Sequence, residues 1–132
     1  MANVDQLFRS QFGQQGSIFT DADGEIKPPN NKVFVAIQFV ADTTLDSTTG
    51  LVADTSNDGL GFPGTNASIH DGSTQSAVAG TGGDAIDASN SFPAGLTIFG
   101  RWTSINIDTP GALIAYIGNL LWQIIQIYIT LH

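Results

Sequence analysis

A chain of 132 residues has room for one domain with a modest core. Twelve acidic side chains face only Arg9, Lys27, Lys32 and Arg101, a net charge of -8, and Val33 to Gly100 contains no Lys or Arg, which excludes the basic cluster that nucleic acid needs. Charged residues make up 12% of the chain, so much of the polar surface must be Ser, Thr, Asn, Gln and Gly, and the absence of cysteine removes disulfides, thiol nucleophiles and thiolate zinc sites.

The first segment, Met1 to Ser17, interrupts its apolar residues with Asp5, Arg9 and several Gln, unlike the apolar core of a secretion signal. Val4, Leu7, Phe8 and Phe12 are spaced to line one face of a short helix. Such a helix packs either on its own domain or, as an arm, on a neighbour. Next comes Asp21-Ala22-Asp23-Gly24-Glu25, where Asp-Gly predicts a turn. Its alternating carboxylates hint at calcium, but the later acidic ligand of an EF-hand loop is missing, so no metal site is expected.

Lys32 to Ala41 is almost unbroken Val, Ile, Phe and Ala, and predicts a strand buried on both faces. From Asp42 to Asn90 the chain turns to Thr, Ser, Asp, Asn and Gly with scattered apolar residues. That is too long for an ordinary loop and predicts short strands and turns. Gly80-Thr81-Gly82-Gly83 lacks the following Lys-Ser or Lys-Thr of a phosphate loop, so no nucleotide cofactor is expected.

Phe92-Pro93-Ala94-Gly95 predicts a turn, and Leu96 to Ile107 the clearest strand. Strict alternation puts Leu96, Ile98, Trp102 and Ser104 on one face, and Thr97, Phe99, Arg101, Thr103, Ile105 and Ile107 on the other, with Gly100 marking a bulge. Arg101 and Trp102 form a candidate recognition pair. The structural alternative is an Arg101 that satisfies buried carbonyls or an Asp. Asp108-Thr109-Pro110-Gly111 predicts a turn, Ala112 to Ile117 a strand, and Gly118-Asn119 a further break, together an antiparallel meander.

Ala112 to Leu131 is the most apolar stretch, yet Gly118, Asn119, Gln123, Gln126 and Thr130 interrupt it short of the ~20 apolar residues of a spanning helix, so no membrane partner is expected. Ile125, Ile127, Ile129 and Leu131 alternate with Gln126, Tyr128, Thr130 and His132 at a period of two, as in a half-buried strand. Such a strand either completes the core or adds to a neighbour's sheet.

Catalytic groups are sparse. The chain has two histidines, His70 and His132. His70-Asp71 with Ser68 or Ser73 lacks a nucleophile elbow, and no carboxylates are paired as a glycosidase requires. A non-enzymatic protein is expected.

The stretch Phe92-Pro93-Ala94-Gly95-Leu96-Thr97-Ile98-Phe99-Gly100-Arg101-Trp102-Thr103, continued by Ala115-Tyr116-Ile117-Gly118, resembles small virion structural proteins of tailed phages, particularly marine cyanophages. The resemblance covers the C-terminal third most specifically and Lys32 to Asp42 more loosely. It implies a particle protein and carries over no catalytic motif.

Together these readings predict an all-β fold, an antiparallel sandwich or barrel. Residues 1–31 form an arm and turn, 32–118 a β-domain with a polar insert at 42–91, and 119–132 an assembly strand. The expected role is a capsid decoration or cement protein on the outer shell of the virion. Its expected partners are further copies of itself, as a trimer, and the major capsid protein, through Leu7, Phe8, Phe12, Trp102, Ile125, Ile127, Ile129 and Leu131. The second reading is a tail-fibre or baseplate module that binds a host glycan through Trp102, Tyr116 and Asn66.

Overall fold

The computed structural model describes residues 15–54, 62–65, 85–108 and 110–119. These hold eight strands: β1 (Ser17–Thr20), β2 (Gly24–Ile26), β3 (Lys32–Ala41), β4 (Thr43–Leu45), β5 (Leu51–Ala53), β6 (Ser91–Phe92), β7 (Thr97–Asp108) and β8 (Ala112–Asn119). Among the described residues there is no helix. All eight strands belong to one antiparallel sheet of order β1-β8-β3-β7-β4-β6, with β2 and β5 also on β7, and among the described residues the sheet does not close. The fold is all-β, as expected.

Straight strands cannot satisfy these registers. Gln38 lies opposite Thr97, and Ala41, farther along β3, lies opposite Ala112. A straight β7 would leave Asp108 about 45 Å from Ala112 at ~3.3 Å per residue, whereas the chain between them spans at most about 14 Å. β7 therefore bends back and rolls the sheet around its core. Two register shifts sit along it: against β3 between Phe99 and Trp102, where Gly100 was expected to mark a bulge, and against β5 between Trp102 and Ser104.

The pairing of the strands explains three departures from the sequence reading. Consecutive strands β7 and β8 do not form a meander, because the curl carries the end of β7 around to the far side of β3, which separates them. Ile105 and Ile107 face the core with Trp102 rather than opposite it, because the second shift inverts the alternation. Gly118 and Asn119 continue β8 and do not break it. A Cβ on Gly118 would stand 2.5 Å from Cγ1 of Val35, so this glycine admits a neighbouring side chain rather than a turn. Asp21 to Gly24 also does more than turn: β1 pairs with β8 and β2 with β7, so the segment links two parts of the sheet. These two strands bring residues 17–26 of the expected arm into the domain.

β3 carries two extra residues relative to β8, at Val35 and Val40. The one at Val35 resets the phase between Phe34 and Ile37, so that Phe34, Ile37 and Phe39 all point into the core, and the one at Val40 follows them. Phe39 stacks on Phe92 with ring centroids 4.7 Å apart. Trp102, Leu45, Leu51, Leu113 and Ile117 complete the centre, and each large apolar side chain contributes roughly 1.5–3 kcal/mol on burial. Buried Thr43 fastens the fold at the β3–β4 corner, where its hydroxyl donates to Ala41 O at 2.7 Å and accepts from Ala112 N at 3.1 Å.

Candidate functional site: an uncharged outer face

Residues in register across a sheet share a face. Ile18, Ala115, Ile37 and Ile98 form one such row, and all four pack in or against the core. The next row, Phe19, Ile114, Gln38 and Thr97, therefore points the other way, as does Ser17, Tyr116, Ala36 and Phe99. None of these eight residues is charged, although the chain carries a net charge of -8.

Phe19 and Phe99 are 58% and 60% exposed, and bulged Val40 is 49% exposed. Three strand spacings of ~4.8 Å separate the columns of Phe19 and Phe99, a face about 14 Å across. Between them Tyr116 and Gln38 are joined through the phenol oxygen and Gln38 Oε1 at 3.2 Å. That contact engages two of the polar groups on the face; Ser17 and Thr97 supply the others, and Phe19, Ala36, Phe99 and Ile114 its apolar part. Large exposed aromatics grouped on one face mark an interaction surface more than scattered apolar residues do.

The edges of the sheet are unlike one another. Among the described residues, β1 carries no charge, no Pro and no register shift against β8, with Asp21 directly after it, whereas Glu25 lies within β2 and pairs at 3.1 Å with Lys27, directly after that strand. Charged side chains discourage edge-to-edge pairing, and β1 has none.

Elsewhere among the described residues, charged side chains pair within the fold. Arg101 and Asp54 pair at 3.3 Å with side chains 12% and 5% exposed, and Asp54 N donates to Arg101 O. The guanidinium also lies 5.3 Å from the Phe62 ring centroid. Lys32 Nζ bonds Asn119 Oδ1 at 2.5 Å. Among the described residues, no group of His, Cys, Asp or Glu could hold a metal ion.

Asp46 organises the β4–β5 turn, which loops out over Asn106 of β7. Asp46 N donates to Asn106 O, and Asn106 N to Gly50 O. The carboxylate accepts from Thr49 N, Thr48 N and the Thr49 hydroxyl, and these bonds, the Thr49 amide first, hold its pKa below the usual aspartate value. A depressed folded-state pKa gives stability that is present above the unfolded value and lost as pH falls through the folded one. Thermal melts from neutral to acid pH are expected to show a falling Tm that is shallower in Asp46→Ala. Parallel curves for the two proteins refute this role.

The expected interface residues fall in different places. Trp102 is fully buried; its indole Nε1 donates to Pro63 O at 2.8 Å, so it belongs to the core and not to the outer face. Its neighbour Arg101 takes the structural option, with Asp54 as partner. Leu7, Phe8, Phe12, Ile125, Ile127, Ile129 and Leu131 lie outside the described residues, as do His70, Asn66 and the Gly80 to Gly83 run. Tyr116 lies on the outer face. The sequence reading missed Phe19 and Val40, and grouped Phe99 with the core residues Ile105 and Ile107. The alternation of Ile18 and Phe19 was the available signal.

No protein-family model matches this chain, and neither a curated protein nor a solved structure matches it.

Proposed function

We propose that this chain is a non-catalytic, self-associating structural protein of a tailed-phage particle, seated as a decoration protein on the outer capsid. The observation that carries its assembling character is the uncharged outer face with Phe19 and Phe99 exposed, on a chain of net charge -8. Copies of so acidic a protein repel one another through most of their surface, and an uncharged aromatic face is where that repulsion is weakest and apolar burial greatest. The phage assignment rests on the resemblance of Phe92 to Thr103 and Ala115 to Gly118.

A shell offers many equivalent sites related by local symmetry, so modest contacts from each copy add into firm attachment, and a trimer matches a threefold position. The test is to purify particles that contain this protein, measure its copy number against the major capsid protein by mass spectrometry, and locate it by antibody-labelled electron microscopy. Shell-wide label at a copy number comparable with the capsid protein is expected. Label confined to the tail overturns the capsid assignment and supports the glycan-binding fibre instead.

A further inference from the structure

We infer that the segment after Asn119, Leu120 to His132, adds as a strand to the edge of β1 in a second copy, with its isoleucine row beside Phe19 on the outer face. This rests on the self-association proposed above and names its occupant and its acceptor.

Four observations converge on it. First, β1 ends the sheet among the described residues, and Ser17–Thr20 itself carries no charge, where β2 carries Glu25. Second, Phe19 on that strand is 58% exposed. A strand laid alongside places a side chain about 5 Å from Phe19 while satisfying its own backbone through the ladder. Third, the segment suits that edge: residues 120–131 contain no Asp, Glu, Lys or Arg, and Ile125, Ile127, Ile129 and Leu131 form one apolar row. An acidic chain can bring two such uncharged stretches together without opposing carboxylates.

Fourth, the donor is a different copy. To reach the outer edge of its own β1, the chain would have to reverse beyond Asn119, where β8 ends beside β3. Residues 120–132 contain no Gly, Pro, Asn, Asp or Ser, the residues that supply such a reversal. Gly118 does not supply it, because it is held in β8 opposite Val33 with Val35 against it. Donation from copy to copy is head-to-tail, and closes into a ring or grows into a filament according to the rotation between copies.

The chain has no cysteine, so single cysteines can be placed without background. Phe19→Cys full-length protein is mixed, under mild oxidation, with each of Ile125→Cys, Gln126→Cys, Ile127→Cys, Tyr128→Cys and Ile129→Cys, and covalent heterodimers are read on non-reducing gels. Residues directly opposite on neighbouring strands are close enough for a disulfide. The expected result is an alternating pattern in which the isoleucine positions cross-link several-fold more than Gln126→Cys and Tyr128→Cys. Phe99→Cys, on the far side of the face, stays at the background of an exposed Lys27→Cys control. Preferential linkage to Phe99→Cys, or a doubly substituted chain that links within itself, overturns the inference while self-association stands. Wild-type protein that remains monomeric by light scattering, with no heterodimers, overturns both. Circular dichroism of each variant confirms that it is folded before mixing, and a Phe19→Cys protein that fails this check is replaced by Ser17→Cys, two residues along the same face and judged against the same pattern.

Discussion

Trp102→Ala is expected to cost about 3–5 kcal/mol, the usual range for removing a large aromatic from a packed core. Trp102 is fully buried where β7 passes from β3 to β5, opposite Phe34 on one side and Ala53 on the other. A Cβ on Gly100 would stand 2.7 Å from Cζ2 of this ring, so the indole lies over the bare glycine and fills the space above it. Alanine leaves that space empty and also orphans the Pro63 carbonyl, which accepts from Nε1 at 2.8 Å. Small domains have only about 5–15 kcal/mol in total, so the variant should lose much of its folded population at 37 °C. Urea titration followed by far-UV circular dichroism measures this, and Trp102→Phe should fall between the variant and wild type. A midpoint unchanged in Trp102→Ala would show that the indole does not hold the two parts of β7 together.

Asp54→Ala should cost a similar amount for a different reason. Removing one partner of a buried ion pair leaves the other charge uncompensated, at about 3–5 kcal/mol. Asp54 and Arg101 are cross-strand neighbours, and the remaining guanidinium would retain the Phe62 ring without its carboxylate. Replacing both, as Asp54→Leu with Arg101→Met, removes the charge together with its partner and should recover most of the loss, since apolar replacements of buried pairs are often near neutral. A double-mutant cycle in urea reads the coupling directly. Additive losses would mean that each side chain acts through separate contacts.

These two sites also show where sequence reading stops. Arg101 leaves open whether carbonyls or an aspartate will satisfy it, and nothing local selects Asp54, which reaches it only because β5 lies along β7. Trp102 beside Arg101 suggests a binding pair, but burial depends on what packs over the ring, and that comes from distant strands. Phe99, Ile105 and Ile107 share parity and so seem to share a face. The register shifts that separate them arise from pairing with β3 and β5, and one inserted residue reverses every side chain beyond it.

The apolar, β-branched runs at Lys32 to Ala41, Leu96 to Ile107 and Ala112 to Ile117 dictate extended structure wherever they are placed, because strand preference and turn residues act locally. The turn at Pro93 to Leu96 is equally local, with Leu96 N donating to Pro93 O and Gly95 at φ 91°. The all-β class and the acidic, cysteine-free surface chemistry were thus legible from composition and pattern. The order of the strands, the curl of β7 and the exposure of Phe19 and Phe99 were not. They follow from closing long-range pairs around one core, and that closure depends on residues far apart in the chain satisfying each other at once.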